Sequence, residues 1–434
     1  MKQCCLLIIA CMAAYGSYAQ QLHGRVADAQ TKEALPGVSV RLLHESAGCN
    51  TNAQGKYELP ATVTDSIEIS YVGYISRQIT AKDAEKMPVI FLQRRATNLN
   101  EIIVSSSRDK QRRTAAPIAI STISPQTLHD TKATTLDQVL NKVSGVYMVD
   151  LGNEQHTMAI RQPIGYKSLF LYLEDGIPIR TIGDFNHNAL IEINMAALRN
   201  IEVIRGPASS LYGSEAVGGA VNFITMSPTL VPTAKVQLEG SNWGYRRADF
   251  SVSNTVRKTG FAVSGYYASQ HNGYMDHSDF HKLALTAKVD YQVNEKNKWT
   301  NAATLIDYKT DQTGGLDSTH FFAKDYRNFQ TFTYREVKAL RIRSTLEHDW
   351  NSSNHTTFTA FFRNNTIGQN PFYAIQDIRG TQKANGQINS DAFNSYGIIV
   401  QHKKLFNWKE AALIAGVSAD YSPASYLADY IDIT

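Results

Sequence analysis

The residues whose types could support chemistry fall in a few places. His271, Asp276, His277, Asp279 and His281 lie within eleven residues, a density of imidazole and carboxylate that suits a metal or metal chelate and equally suits a polar connecting loop. Gly213 to Gly218 has the spacing of a phosphate-binding loop, yet no Lys-Ser/Thr pair follows to reach the phosphates. Ser209, Ser210 and Ser214 are not framed as G-x-S-x-G, and His44-Glu45 continues as Ser-Ala-Gly where a zinc peptidase needs H-E-x-x-H. No nucleophile is paired with a base, so an enzyme is the weakest reading and no catalytic residue is assigned.

The glycines then read as structural. In Asn200 to Thr225, an apolar strand (Ile201, Glu202, Val203, Ile204) stops at Arg205-Gly206-Pro207. Small residues carry the chain through Tyr212-Gly213-Ser214, and Gly218-Gly219 leads into Val221-Asn222-Phe223-Ile224. Proline lacks the N–H a central ladder needs, and glycine permits tight turns and close backbone approach, so strand, tight turn, strand is expected.

Charge says little about the ligand: 43 basic against 39 acidic residues, net +4, give no reason to expect nucleic acid. The first twenty residues speak to compartment. Lys2, an apolar run from Cys5 to Ala14, and Ser17-Tyr18-Ala19 before Gln20 form a secretory signal, so residues 1–19 are expected to be removed and the mature chain to begin near Gln20. A lipoprotein leader built on Ile8-Ile9-Ala10-Cys11 is the alternative. Cys4, Cys5 and Cys11 leave with the signal, and the remaining Cys49 has no intrachain disulfide partner.

Residues 20–95 carry short β-prone runs separated by turn residues at Pro36-Gly37, Asn52 to Gly55 and Gly73, which predicts a β-sandwich. Residues 96–114 turn polar around one apolar island, Glu101-Ile102-Ile103-Val104-Ser105, which reads as a linker with an exposed extended segment, or as a strand of a flanking domain. Residues 115–227 mix α and β. Apolar Leu136, Val139, Leu140 and Val143 at i, i+3, i+4, i+7 predict a helix over 134–143 with a threonine cap, and strands follow at 157–161, 169–173 and 201–204. From 228 to 434 the texture is long alternation: in 281–293, Leu283, Leu285, Ala287, Val289, Tyr291 and Val293 face one way and mostly polar residues the other. About nine strands are expected, joined by alternately short and long connections, the pattern of a membrane barrel with apolar residues outward. The fold class is thus mainly β, with a sandwich, an α/β domain and an incomplete antiparallel transmembrane barrel.

IEVIRGPASSLYGSEAVGGAVNFIT, with Ala159-Ile160-Arg161-Gln162 and Leu173-Glu174-Asp175-Gly176-Ile177-Pro178 before it, resembles the plug domain of TonB-dependent outer-membrane receptors, the barrels that import scarce nutrients in Gram-negative bacteria. GRVADAQTKEALPGVSVRL, TNAQGKYEL and ISYVGY resemble the carboxypeptidase-regulatory-like domain that precedes the plug in Bacteroidetes-type receptors, a name that carries no peptidase chemistry. The island at 101–105 resembles the Ton box, where an inner-membrane energising complex would pair with the backbone.

The resemblance implies the outer membrane and its lipid as location, a periplasmic N-terminal domain, no cofactor, and active uptake of a siderophore, metal chelate or cobalamin-type ligand. It leaves room for a surface lipoprotein as partner. Plug residues singled out by it are Arg161, Glu174, Asp175, Gly176, Glu202, Arg205, Gly206, Pro207, Tyr212, Gly213, Gly218 and Gly219. Arg161 and Arg205 are either surface charges or buried cations locked against barrel carboxylates. Tyr166, Phe185, Asn186 and His187 are placed at apices facing ligand. Nine strands fall short of the roughly 22 of such barrels, and Tyr430-Ile431-Asp432-Ile433-Thr434 does not read as a closing strand. A partial product is therefore expected, and a truncated, non-transporting interaction protein derived from such a receptor is the second reading.

Overall fold

The computed structural model describes residues 21–433 apart from 44–46, 63, 72–73, 94–101, 106–107, 109–110, 165–168, 182–187, 314, 328–331, 372–374, 382 and 409–410. It falls into two compact units, residues 1–101 and 102–434.

The first unit is the expected sandwich. Gln21–Asp28, Lys56–Pro60 and Ile90–Leu92 form one sheet, and Ser39–Leu42, Gly48–Asn50, Ser66–Ser70 and Arg77–Thr80 the other. Alternation places the core: Tyr57 and Leu59 are buried between exposed Lys56, Glu58 and Pro60, and Ile67 and Ile69 likewise point inward. A helix at Ala81–Glu85, capped by the Thr80 side chain, adds to it.

In the second unit a five-stranded mixed sheet runs Ile120–Ile123, Leu198–Ile204, Gly219–Thr225, Phe170–Glu174, Ile177–Pro178. Only the pairing of Phe170–Glu174 with Gly219–Thr225 is parallel. Gly219–Thr225 is buried along its whole length because both faces of the sheet are covered. One face packs Phe170, Tyr172 and Phe223 on Leu136, Val139 and Leu140. The other packs Leu171, Leu173 and Ile204 on Ile103, Ala208 and Tyr212. Asp175-Gly176 forms a two-residue turn between paired Glu174 and Ile177, both residues at positive φ, as a type I′ hairpin requires.

Two expectations change here. The helix over 134–143 shrinks to Asp137–Leu140, flanked by three-residue turns in which Val139 N–H meets Leu136 and Val143 N–H meets Leu140. Leu136, Val139, Leu140 and Val143 are nonetheless buried, and Thr134 bonds the Gln138 side chain instead of capping. Between the signature strands the chain forms a short helix at Ser209–Tyr212 where only a turn was expected, and a helix at Pro125–Thr131 was not foreseen.

A barrel-like antiparallel sheet wraps this domain: Thr233–Gly240, Tyr245–Val256, Thr259–Gln270, Phe280–Asn294, Asn297–Asp311, Tyr334–Asn351, Asn354–Asn370 and Ala384–Leu405, each paired with the next. In Phe280–Asn294, Lys282, Ala284, Thr286 and Lys288 are buried while Leu283, Val289 and Tyr291 face out. Short connections at 257–258, 295–296 and 352–353 alternate with long ones at 271–279, 312–333 and 371–383. Residues 424–433 are strand as well, past the last of the nine expected strands, although they close no barrel. Ala412–Tyr421 and Ala424–Ile433 both pair with Ala384–Leu405, Tyr421 opposite Tyr396 and Ala424 opposite Phe393. They make one line interrupted only at Ser422-Pro423, where proline has no N–H to give the ladder. The sheet is open, its two outermost strands unpaired with each other among the described residues. Among those residues no helix is long and apolar enough to cross a membrane.

At Gly219 an added Cβ would lie 2.1 Å from the Ile204 carbonyl oxygen and 3.2 Å from the Ile160 side chain. Because backbone cannot move aside cheaply, Gly219→Ala should lower plug stability by about 3 kcal/mol in chemical denaturation. Gly368→Ala, whose Cβ meets nothing within 4 Å, should leave the midpoint unchanged.

Candidate functional site

The apolar island does not hang free. Ile102–Ile103 pairs antiparallel with Gln111–Arg112, and the Ile103 side chain is fully buried in the plug's second core. This corrects the expectation of an exposed segment. The Glu202 carboxylate, itself fully buried, accepts the Val104 N–H at 3.0 Å, the Ser105 N–H at 2.8 Å and the Ser105 hydroxyl. Tyr212 donates its hydroxyl to the Ser105 carbonyl at 2.8 Å, and Asn222 donates its amide to Ser105 Oγ at 2.8 Å. Burial raises the Tyr212 phenol well above its usual pKa, so it stays a donor at neutral pH. Arg108 closes the arrangement, its guanidinium 4.7 Å over the Tyr212 ring and donating to the Leu211 carbonyl at 2.6 Å.

Three residues of the signature stretch therefore hold one serine. Sequence reasoning found Glu202 and Tyr212 but gave neither this task, and it passed over Asn222. A buried asparagine within an apolar strand was the available signal, since a polar side chain there must have partners.

The plug is fixed to the barrel wall by charge. Arg341 reaches Glu174 at 2.8 Å, Glu192 Oε2 at 3.4 Å and the Glu192 carbonyl at 2.7 Å, and Arg180 bonds the other Glu192 oxygen at 2.7 Å. Arg343 donates to Asp175 at 2.6 Å, with Lys288 3.9 Å from the same oxygen. Lys282 pairs with Glu154, and Arg363 donates to the Pro178 and Arg180 carbonyls while pairing with Asp420. Burial pushes the Asp175 carboxyl up, but Lys288, Arg343 and the hydrogen bonds from Thr225 outweigh it and hold it below the usual range.

The polarity is opposite to the lock expected from sequence, in which plug arginines met barrel carboxylates. Arg161 donates to the Arg205 carbonyl and Arg205 to the Ser144 carbonyl, both within the plug. Of the loop cluster, His271 lies against Asp279 at 2.6 Å and His277 against Asp311 at 3.4 Å. Among the described residues no group of three or more such side chains could hold a metal. Glu101, Tyr166, Phe185, Asn186 and His187 lie outside the described residues. A cavity of about 440 Å³, lined by Val104, Arg108, Asp175, Arg343, Glu347 and His355, opens beside the held segment at the short-turn end of the wall. A smaller one of about 90 Å³, lined by Arg180, Arg335, Gln369 and Asn389, lies toward the long loops.

Removing one partner of a buried ion pair strands the other, so Arg341→Ala should cost about 3–5 kcal/mol of plug docking. Arg205→Ala removes one exposed hydrogen bond and should cost about 1 kcal/mol or less. Denaturation read through protease resistance of the plug ranks the two, and equal losses would contradict the assignment. A carboxyl depressed in the folded state stabilises above its unfolded pKa, about 3.9, and that contribution is lost as pH falls through the folded value. Plug protection should thus hold from neutral pH to about 4 and fall below it, and Asp175→Asn should flatten the acid limb of the titration.

Residues 112–220 match the family model described as TonB-dependent Receptor Plug Domain, and residues 22–104 match the CarboxypepD_reg-like domain. The chain is 29% identical over 177 residues to the vitamin B12 transporter BtuB of Vibrio vulnificus (strain CMCP6), covering 40% of this chain and 28% of that protein. By fold it resembles the ferric citrate transporter FecA in its unliganded form, with a TM-score of 0.61 at 18% identity over 72% of this chain and 48% of that one. It also resembles FpvA of Pseudomonas aeruginosa bound to heterologous pyoverdines, with a TM-score of 0.63 at 15% identity over 84% and 52%. The chain spans about half the length of these solved structures and little more than a quarter of the curated relative. The chain thus carries a CarboxypepD_reg-like domain followed by a TonB-dependent receptor plug domain, in a fold similar to that of FecA and FpvA.

Proposed function

We propose that the chain serves TonB-dependent uptake across the outer membrane, with a siderophore, metal chelate or cobalamin-type compound as cargo. The observation that carries this reading is the extended segment Ile102–Ser105, held on the plug by three residues of the plug's own signature. In this reading residues 1–19 export the chain, the sandwich stands in the periplasm and the outward apolar side chains of the sheet meet lipid. Cargo approaches from the long loops, the plug shifts against its ionic contacts, and 101–105 is released to pair through its backbone with the periplasmic end of the energising complex. The similarity to BtuB, FecA and FpvA supports the cargo class without choosing within it.

The test is capture by a soluble C-terminal fragment of TonB. The purified chain should bind it, and Ile103→Pro, which removes a backbone donor from the pairing segment, should abolish capture. Capture that survives both Ile103→Pro and deletion of 101–105 would refute the assignment. Uptake of a labelled ferric chelate compared with labelled cobalamin in cells then chooses the cargo.

A further inference from the structure

We infer that Asn222 is the positioning residue through which the barrel's grip on the Asp175-Gly176 turn governs the hold on Ser105. The inference rests on the role proposed above for 101–105 and concerns what keeps that segment in place.

Asn222 sits fully buried in the middle of the central plug strand, paired with Leu173 on one side and Glu202 on the other. An apolar side chain would pack there without desolvation cost, so an amide has to be explained by its bonds. It makes two, in opposite directions. Its Oδ1 accepts the Gly176 N–H at 2.9 Å, and its Nδ2 donates to Ser105 Oγ at 2.8 Å. The orientation is fixed, because turning the amide over would aim its NH2 at the Gly176 N–H.

Each end leads somewhere distinct. Gly176 follows Asp175, whose carboxylate takes Arg343 of the wall at 2.6 Å and the Thr225 N–H at 3.0 Å. Ser105 donates its own hydroxyl to Glu202. Three bonds in series therefore join a cation on the barrel to the hydroxyl of the segment that would be pulled. Glu202 and Tyr212 also hold Ser105, but the bonds they show do not reach the turn. When the turn loses its cation, the Gly176 amide is freed to move, the Asn222 side chain loses the bond that orients it, and Ser105 loses a donor. Two arrangements of one amide, each biased from a different site, are what coupling between sites requires.

A double-mutant cycle tests this. In a Cys49→Ser, Val104→Cys background the maleimide labelling rate in native outer membranes reports exposure of the segment, and the Val104 backbone donor is retained. Asp175→Asn and Asn222→Leu should each speed labelling about tenfold, a coupling of ordinary size. The double variant should be no faster than either single one. Rates that multiply, or single variants that leave labelling unchanged, would overturn the inference. Val139→Ala, which weakens the plug core at the helix Asp137–Leu140 on the other face of the sheet, should instead multiply with Asp175→Asn, separating positioning from general loosening. Should Asn222→Leu fail to assemble, Asn222→Ser replaces it, since a hydroxyl cannot span both neighbours. The readout contains no energising protein, so failure of TonB capture and failure of this cycle are separate results.

Discussion

A carboxylate taken out of water costs several kcal/mol unless charge or donors replace its hydration, and that constraint organises the second unit. Glu154, Glu174, Asp175 and Glu192 of the plug meet Lys282, Arg341, Arg343 and Lys288 of the wall. Misplacing the plug by one strand would leave several ions unpaired at once, so these contacts fix its orientation more sharply than apolar packing could. The apolar share of the interface is Ile191, with Met195 and Ala196, packed among Tyr266, Ala284, Ile306 and Val337. An interface built this way holds firmly when dry, and water entering it can take over its bonds. That suits the role proposed above, in which the plug stays seated and still shifts.

Glu202 meets the same constraint by other means. The partners it shows are hydrogen-bond donors, two backbone N–H groups and one hydroxyl, all from Val104 and Ser105. If the segment departs, the carboxylate is left bare inside the plug, and Ile103 leaves a gap in the core it shares with Leu171, Leu173 and Ile204. Burying one isoleucine side chain is worth about 1.5–3 kcal/mol, and bonds to a charged acceptor about 1.5–3 kcal/mol each. Extraction of the segment and rearrangement of the plug are therefore energetically one event, since neither state is comfortable with half of the change made.

What was legible in the sequence was what repeats locally. Period-two alternation located the long strands, because Leu283, Val289 and Tyr291 share a face whatever lies around them. Glycine and proline marked the ends of the signature strands for reasons internal to the chain. What could not be read was the matching of distant charges: Arg341 is 167 positions from Glu174, and nothing local says that plug acids pair with wall bases and not the reverse. The helix over 134–143 was over-read because its apolar spacing reports burial, which is met, whereas the two hydrogen bonds between the Asn141 side chain and the Met148 backbone turn the chain out of the helix. The strand past Pro423 was missed because proline signals an ending, although one lost ladder bond is tolerated when Asn394 still donates to the Pro423 carbonyl.

The one parallel pairing within the five-stranded plug sheet explains why the relay lies where it does. Since Phe170–Glu174 and Gly219–Thr225 run side by side in the same direction, their ends arrive together, and Asp175 can accept both the N–H and the hydroxyl of Thr225. Just past Thr225 the chain leaves the plug for its first wall strand at Thr233, so the turn gripped by Arg343 is also where the covalent connection to the wall departs. Both anchors of the plug on this side therefore converge on one point, and Asn222, three residues before that point, is within reach of the turn and of Ser105 alike. An antiparallel pairing would have carried the two ends to opposite edges of the sheet and left the held segment without a path to the wall.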